Sequence, residues 1–273
     1  MLNPKRVFFV PYGPSDGLAL LAKRLGLLKV RTDGTSKAFR NRGRDKVYIC
    51  WGKPSAAVKR QLDAVEGKII NPADLIPNAV DKIAFFKLAD KREWNLEWTQ
   101  DPCVAATWLE DDCKVIARTT ATGTGGDGIT VLRSVEDLET AKDKNRFILF
   151  TKYVPKKHEY RVHVVNGEAI ACSRKVMKKG AEPKEQGWEV RSHDNGFIFQ
   201  REDLKDVPKA VLDAAIDAVR NVLHLDFAGV DILWNEKRKK AYVCEVNTAP
   251  GIEGGTVEEY ALAFEKMLDE YKL

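Results

Sequence analysis

Between Asp226 and Gly255 the chain reads DFAGVDILWNEKRKKAYVCEVNTAPGIEGG, two apolar strands joined by a short charged turn, Asn235 to Lys240. Asp231 interrupts the apolar run of the first strand, and Glu245 and Asn247 sit two apart near the end of the second. Side chains alternate along a strand, so Glu245 and Asn247 share a face. Folding the hairpin about Arg238 brings Asp231 roughly opposite Glu245. Two carboxylates and an amide oxygen then converge, a hard-oxygen set that suits Mg²⁺, which completes its octahedron with water and phosphate. Taken singly, each acid reads as a solvated residue of an edge hairpin. Embedded together in apolar strands and followed by Thr248-Ala249-Pro250-Gly251, they predict a metal site, a cluster of like charges that repel without the ion.

The remainder of the chain has to supply a ligand for such a site. With 273 residues it is long enough for two or three subdomains with their own cores. A hydrophobic share of 44% and a charged share of 31% place it among ordinary globular proteins. The net charge of +5 permits phosphate-bearing ligands but is too small an excess to indicate nucleic acid by itself. No apolar run approaches a membrane span, and the first residues lack a signal-peptide core. The five cysteines, Cys50, Cys103, Cys113, Cys172 and Cys244, are odd in number and show no CxxC spacing. Four of them lie in or beside apolar strand-like or helical runs and are expected as small buried hydrophobes, in a reducing cytoplasm.

The chain opens with a buried strand, Arg6 to Val10, and Ser15 is placed to cap a helix whose apolar side is Leu18, Leu20, Leu21 and Leu25. Strands at Lys46–Trp51 and Lys68–Ile70 flank a helix at Ala56–Val65, and this order predicts a small parallel sheet. The basic run Lys37 to Lys46 reads as a solvated loop, with contact to a polyanion as the alternative. A helix is expected over Asn78–Asp90, carrying Ile83, Phe85, Phe86 and Leu88, and another at Cys103–Leu109. Next come a strand ending in Arg118, a glycine-rich turn (Gly123-Thr124-Gly125-Gly126-Asp127-Gly128) and a returning strand from Ile129 to Leu132. Glycines let backbone N–H groups approach an anion closely, and Arg118 adds charge for a phosphate. No Gly-Lys-Ser/Thr follows and the next element is a strand, so neither a Walker loop nor a dinucleotide fingerprint is present. Ser134 is placed to cap a helix to Asp143, and a long strand is expected over Arg146–Val154. Asn166-Gly167 between alternating runs then marks a hairpin, with Arg161 and His163 on one face. His163 alone on its strand reads as structural rather than as a base. The last helices are expected at Val207–His224, with an apolar stripe of sheet-packing period, and at Val257–Tyr271.

Read in order, the small α/β domain, the glycine hairpin, Phe150-Thr151-Lys152-Tyr153, Glu159-Tyr160-Arg161 and Asp231 … Glu245-Val246-Asn247-Thr248 resemble the ATP-grasp superfamily. Within it the chain is most similar to RimK-type ligases that join a carboxylate to an amine. The resemblance implies an α/β (α+β) fold with a Rossmann-like preATP-grasp domain over 1–77. A central subdomain with a glycine-rich lid would cover 78–154, and a C-terminal subdomain 155–273, with ATP between the two. It implies ATP and two Mg²⁺ ions (or Mn²⁺), held by Asp231, Glu245 and Asn247. It places adenine beside Lys152, Tyr153 and Val154, and Glu159 near the ribose or adenine edge. Arg161, Lys175, Arg191 and Asn195 would face the γ-phosphate and acyl phosphate. Arg118, in place of the lysine common in relatives, and Gly123, Gly125 and Gly126 would contact the triphosphate.

The implied reaction is attack of a carboxylate on the γ-phosphoryl of ATP, giving an acyl phosphate and ADP, followed by attack of an amine. Phosphoryl transfer needs positioning and charge neutralisation rather than a nucleophilic side chain, which agrees with the absence of GxSxG and Cys/His motifs. Two other readings stay open: an ATP-grasp kinase that only phosphorylates its substrate, and a non-catalytic module binding nucleic acid or protein through its surface lysines. The carboxylate, the amine and the oligomeric state are not written in the residues.

Overall fold

The parallel sheet expected at the start of the chain forms around the apolar run Val7–Pro11 in this computed structural model, which describes residues 5–123, 126–142, 146–182 and 188–270. Strands β1 (Val7–Pro11), β2 (Leu28–Lys29), β3 (Val47–Trp51) and β4 (Lys68–Ile70) lie in the order β2-β1-β3-β4, with every pairing parallel. Helix α1 (Asp16–Leu25) starts where Ser15 Oγ accepts the Leu18 N–H at 3.3 Å, and stops at Gly26, whose φ of 65° suits glycine. Its buried stripe is Leu18, Leu21, Ala22 and Leu25. Leu20, expected on that stripe, is 51% exposed because two residues past Leu18 is more than half a turn around the helix. Helix α2 (Ala56–Leu62) is shorter than expected. The basic run is not a free loop. Residues Lys37–Gly43 form a 3₁₀ turn pinned by Phe39, which stacks on Tyr48, and by Tyr48 Oη donating to Ala38 O at 2.7 Å.

The helix expected over Asn78–Asp90 is two helices, α3 (Ile76–Val80) and α4 (Lys82–Leu88). Asp81 breaks the run and caps the second, its Oδ1 accepting from Ile83 N and Ala84 N at 2.8 and 3.0 Å. Leu88, expected to be apolar-facing, is exposed. Phe85 and Phe86 pack into the core of the C-terminal sheet rather than that of the central one. The central sheet is antiparallel, β5 (Trp98–Thr99), β6 (Val115–Arg118), β7 (Ile129–Leu132) and β8 (Leu149–Lys152) in the order β5-β8-β6-β7. Helices α5 (Pro102–Glu110) and α6 (Val135–Lys142) cover it, burying Ala105, Leu109 and Leu138 against Val115, Leu132 and Phe150. Ser134 caps α6 as expected, with Oγ accepting the Asp137 N–H at 3.1 Å. Asp143 lies outside the described residues, and the strand expected over Arg146–Val154 narrows to β8.

The third sheet has five antiparallel strands, in the order β11-β10-β9-β12-β13. They are β9 (His158–Val165), β10 (Glu168–Met177), β11 (Phe197–Glu202), β12 (Phe227–Asn235) and β13 (Lys240–Asn247). Behind it, helix α7 (Lys209–Ile216) continues as a π-helical turn, Asp217–Val222, and buries Val211, Ala214, Ala215, Ala218 and Val219. The last helix, α8 (Gly255–Asp269), begins earlier than expected, and Tyr271 lies outside the described residues. It sends Tyr260 and Phe264 into a core shared by Phe9 and Trp51 of the first sheet and by Phe227 of β12. Asn71, fully buried with φ of 52°, stitches the same junction. Its Nδ2 donates to Phe227 O at 2.8 Å, its Oδ1 accepts from Asp226 N at 2.8 Å, and its own N–H reaches Asp226 Oδ2 at 2.7 Å. All five cysteines are free thiols, but only Cys50 and Cys172 are buried, and Cys103 is exposed. No helix among the described residues is long and apolar enough to cross a membrane.

Candidate active site

The hairpin closes with the expected pairing, but not by alternation alone: continued from the turn, strict pairing would set Asp231 opposite Cys244. Asp231 lies opposite Glu245 and Gly229 opposite Asn247, while a bulge at Cys244 shifts the register between Asp231 and Ile232. The following Thr-Ala-Pro-Gly turn folds back on β12. A Cβ on Gly229 would lie 2.8 Å from the Pro250 ring, so this strand position needs glycine. Asp231 also faces Arg161 across the β9–β12 pairing.

One cavity of about 840 Å³ opens between the central and five-stranded sheets. Asp231, Glu245 and Asn247 line it with Glu159, Arg161 and Lys175 from β9 and β10. Arg118, Gly123 and Gly126 line it from the glycine hairpin, and Lys152, Tyr153 and Val154 from the linker. Arg191 completes the set. Two sequence-predicted residues are not among the lining. Gly125 lies outside the described residues, and Asn195 is turned to its own segment, donating from Nδ2 to Val190 O at 2.6 Å.

The expected cluster of mutually repelling acids is not what the chain builds. Arg161 grips Asp231 with two parallel bonds, Nε to Oδ1 at 2.6 Å and Nη2 to Oδ2 at 2.8 Å. Burial alone would raise the Asp231 carboxyl, but the charge and hydrogen bonds of Arg161 outweigh it and hold the group below its ordinary value. Burial pulls Arg161 the other way, and Asp231 more than restores its proton affinity. Lys175 pairs with Glu159, and Lys82 stands 3.4 Å from Glu245 while donating to Gly123 O at 3.2 Å. Each acid of the floor thus carries a cation of its own. His163 is buried, its Nδ1 3.1 Å from Tyr260 Oη, and burial with Arg161 nearby pushes its pKa down to about 3. It is a neutral structural imidazole, as its isolation on the strand suggested.

Two carboxylates and an amide oxygen within one hairpin fit a hard divalent cation. No site among the described residues gathers three His, Cys, Asp or Glu side chains, so a third side-chain donor beside Asp231 and Glu245 would be an amide such as that of Asn247.

Sequence reasoning passed over Lys82, Lys156 and Glu189. Lys82 had a faint signal, the Asp81 cap immediately before it, whereas Lys156 was one lysine in a lysine-rich turn. The Lys156 side chain is almost wholly buried, burial lowers its pKa, and its Nζ donates to Glu189 O at 2.6 Å. The Glu189 carboxylate reaches across to Lys114 Nζ at 2.8 Å and Arg133 Nη2 at 3.2 Å, on or beside the central sheet. Residues 188–196 therefore form a strap tied to both walls. The strap carries Arg191, whose Nη1 and Nη2 donate to Lys157 O and Lys156 O at 3.3 and 3.4 Å. The hydrogen bond from Lys114 holds the Glu189 carboxyl below its ordinary value. The tie is therefore present near neutrality and lost as pH falls through that lowered pKa. Glu189→Gln is expected to speed amide exchange over 188–196 at pH 7 and to bring the variant and wild type together in acid. Equal exchange at pH 7 would refute the strap.

This combination of fold and site has counterparts. The sequence matches the model of the RimK-like ATP-grasp domain over residues 112–268, more than half of the chain, and the chain belongs to that family. It is accordingly an ATP-dependent carboxylate–amine ligase. Similar solved structures share the fold at low identity. The RiPP-associated ATP-grasp ligase of Chryseobacterium gregarium, in complex with ADP and a leader and core peptide, is 13% identical with a TM-score of 0.68, covering 97% of each chain. The ATP-grasp ligase PsnB, complexed with a phosphomimetic variant of its minimal precursor, Mg and ADP, is 13% identical with a TM-score of 0.67, covering 97% of this chain and 99% of that one. D-alanine–D-alanine ligase from Bacillus anthracis is 13% identical with a TM-score of 0.65, covering 97% of this chain and 95% of that one. No protein of curated function matches the sequence.

Proposed function

We propose that the chain condenses a carboxylate with an amine through an acyl phosphate, releasing ADP and phosphate. The observation that carries this reading is the gathering of Asp231, Glu245 and Asn247 with Arg118, Arg161, Lys175 and Arg191 around one cavity. A carboxylate oxygen attacks the γ-phosphorus, and the bond to the β-phosphate oxygen breaks with its electron pair leaving on ADP. The amine nitrogen then attacks the acyl carbon, the C–O bond to phosphate breaks, and the amine proton passes to solvent. Asp231, Glu245 and Asn247 would hold two Mg²⁺ ions, or Mn²⁺, which when bound neutralise charge on the phosphates. Arg161 and Lys175 sit level with that site and are freed to turn to phosphate as their carboxylates are drawn to the metal and ribose. Arg118 and the glycine turn line the opposite wall beside the triphosphate. Lys152, Tyr153 and Val154 form a flat edge for adenine, with Glu159 beside the ribose, and Asn195 braces the strap instead of touching phosphate.

We read residues 1–77 as the substrate-facing unit, 78–154 as the unit carrying the glycine turn, and 155–273 as the unit carrying the metal and phosphate residues. A peptide is the substrate class favoured for one or both partners, since the similar Chryseobacterium gregarium ligase is in complex with a leader and core peptide.

The test is nucleotide product analysis with panels of peptide carboxylates and amines, followed by mass spectrometry of the condensed product. ADP with a stable phosphorylated substrate would indicate a kinase, and AMP would overturn the mechanism. Arg191→Ala is expected to lower kcat by on the order of 10²-fold with a much smaller change in ATP affinity, since its contact grows as charge develops. An equal loss in binding and turnover would remove Arg191 from the transfer step.

A further inference from the structure

Phe199 is a side chain of the cavity that neither the metal ligands nor the nucleotide contacts account for. It stands on β11, one of the two edge strands of the five-stranded sheet, directly across from Lys175. It is 38% exposed and lines the cavity, so burial of its apolar surface is not what placed a phenyl ring on an edge strand. Its ring instead meets two cations. The Arg161 guanidinium carbon is 4.4 Å from the ring centroid, and Lys175 Nζ is 5.5 Å from it.

Arg161 and Lys175 are like charges held close together, and without nucleotide each has its own carboxylate, Asp231 and Glu159. On the ligase reading, which this inference rests upon, those same two carboxylates are claimed by the metal and the ribose. The cations then lose their anionic partners at the moment they are needed beside the terminal phosphate. A phenyl face attracts cations within about 6 Å through its quadrupole. It carries no net charge, so it holds the two groups without competing with phosphate for them. We propose that Phe199 is a positioning residue for phosphoryl transfer, its ring keeping Arg161 and Lys175 side by side after their carboxylates have been drawn away.

The test compares Phe199→Leu and Phe199→Met, which keep apolar bulk without a ring, with Phe199→Tyr and Phe199→Trp, which keep a ring face. In full-length enzyme shown to release ADP, kcat is expected to fall about 10-fold in the Leu and Met variants, with KM for ATP within about threefold of wild type. The Tyr and Trp variants are expected to stay within about threefold of wild type in both. Calorimetry supplies a readout apart from turnover, the preference for a Mg-bound non-hydrolysable triphosphate analogue over Mg-ADP. That preference is expected to shrink about 10-fold in the Leu and Met variants and to persist in Tyr and Trp. Unchanged kcat and preference in Leu and Met overturn the proposal, as does an equal loss in all four variants, which would mark the residue as packing alone. Release of AMP by the wild type counts against the ligase reading and the proposal together. ADP release with insensitive Leu and Met variants counts against Phe199 only.

Discussion

Glu245→Gln is expected to cut turnover by on the order of 10²- to 10³-fold, because it removes one of the two anionic residues of the proposed metal site and several kcal/mol of charge stabilisation go with it. The fold registers the change as well. Lys82 is 3% exposed and stands 3.4 Å from Glu245, so the variant strands a buried ammonium on the Gly123 carbonyl. Glu245 is itself a quarter exposed and the glutamine oxygen still accepts a hydrogen bond. The cost is therefore about 1–2 kcal/mol rather than the ~3–5 of a fully buried broken pair. Single-turnover assays with Mg-ATP, alongside urea midpoints, separate the two effects. A variant that keeps most of its Mg²⁺-dependent activity removes Glu245 from the metal site.

Asp231→Asn is expected to be harsher on stability. Both bonds from Arg161 lose their anion, and the guanidinium stays charged inside the sheet, at a cost of about 3–5 kcal/mol. For a chain of this size that lowers Tm by roughly 10 °C, and turnover is lost with it. The pH dependence gives the sign. Asp231 titrates below its ordinary value of 3.8 in the fold, so its contribution is full above that value and disappears as pH falls through the lowered pKa. Wild type and variant should therefore differ most near neutrality and converge in acid. A constant difference across that range would mean that the Arg161–Asp231 charge pair is not the source.

The hairpin from Asp226 to Asn247 and the shared face of Glu245 and Asn247 were legible in the sequence because alternation is a local rule: two residues apart on one strand means one face, whatever the rest of the chain does. The small parallel sheet and the Asn166-Gly167 hairpin could be read for the same reason. The turn Asn235–Lys240 sets the register only as far as Ile232; the bulge at Cys244, which no residue pattern announces, brings Asp231 opposite Glu245. What the residues did not reveal was the counter-charge. Lys82 lies more than 160 positions from Glu245, and nothing in its neighbourhood says that α4 packs on the five-stranded sheet. Lys156 and Glu189 meet across a turn and a strap, and Phe199 is one apolar residue on an apolar strand until Arg161 and Lys175 are placed beside it. Asp81 shows the opposite failing. Its capping signal was present but was overruled by the apolar run around it, and one helix was expected where two form.

The Asn71 stitch has a consequence for how the enzyme opens. With Phe9, Trp51, Phe227, Tyr260 and Phe264 in one core, the first sheet and the five-stranded sheet cannot part without wetting that core. The central sheet has a core of its own, but Leu149 of β8 and Trp98 of β5 also pack against the core of the five-stranded sheet, and Lys114 and Arg133 tie the central sheet to the strap through ion pairs that water can replace. An opening of the cavity therefore spares the two-sheet body, whose apolar core is costlier to wet than the ion pairs of the strap are to break.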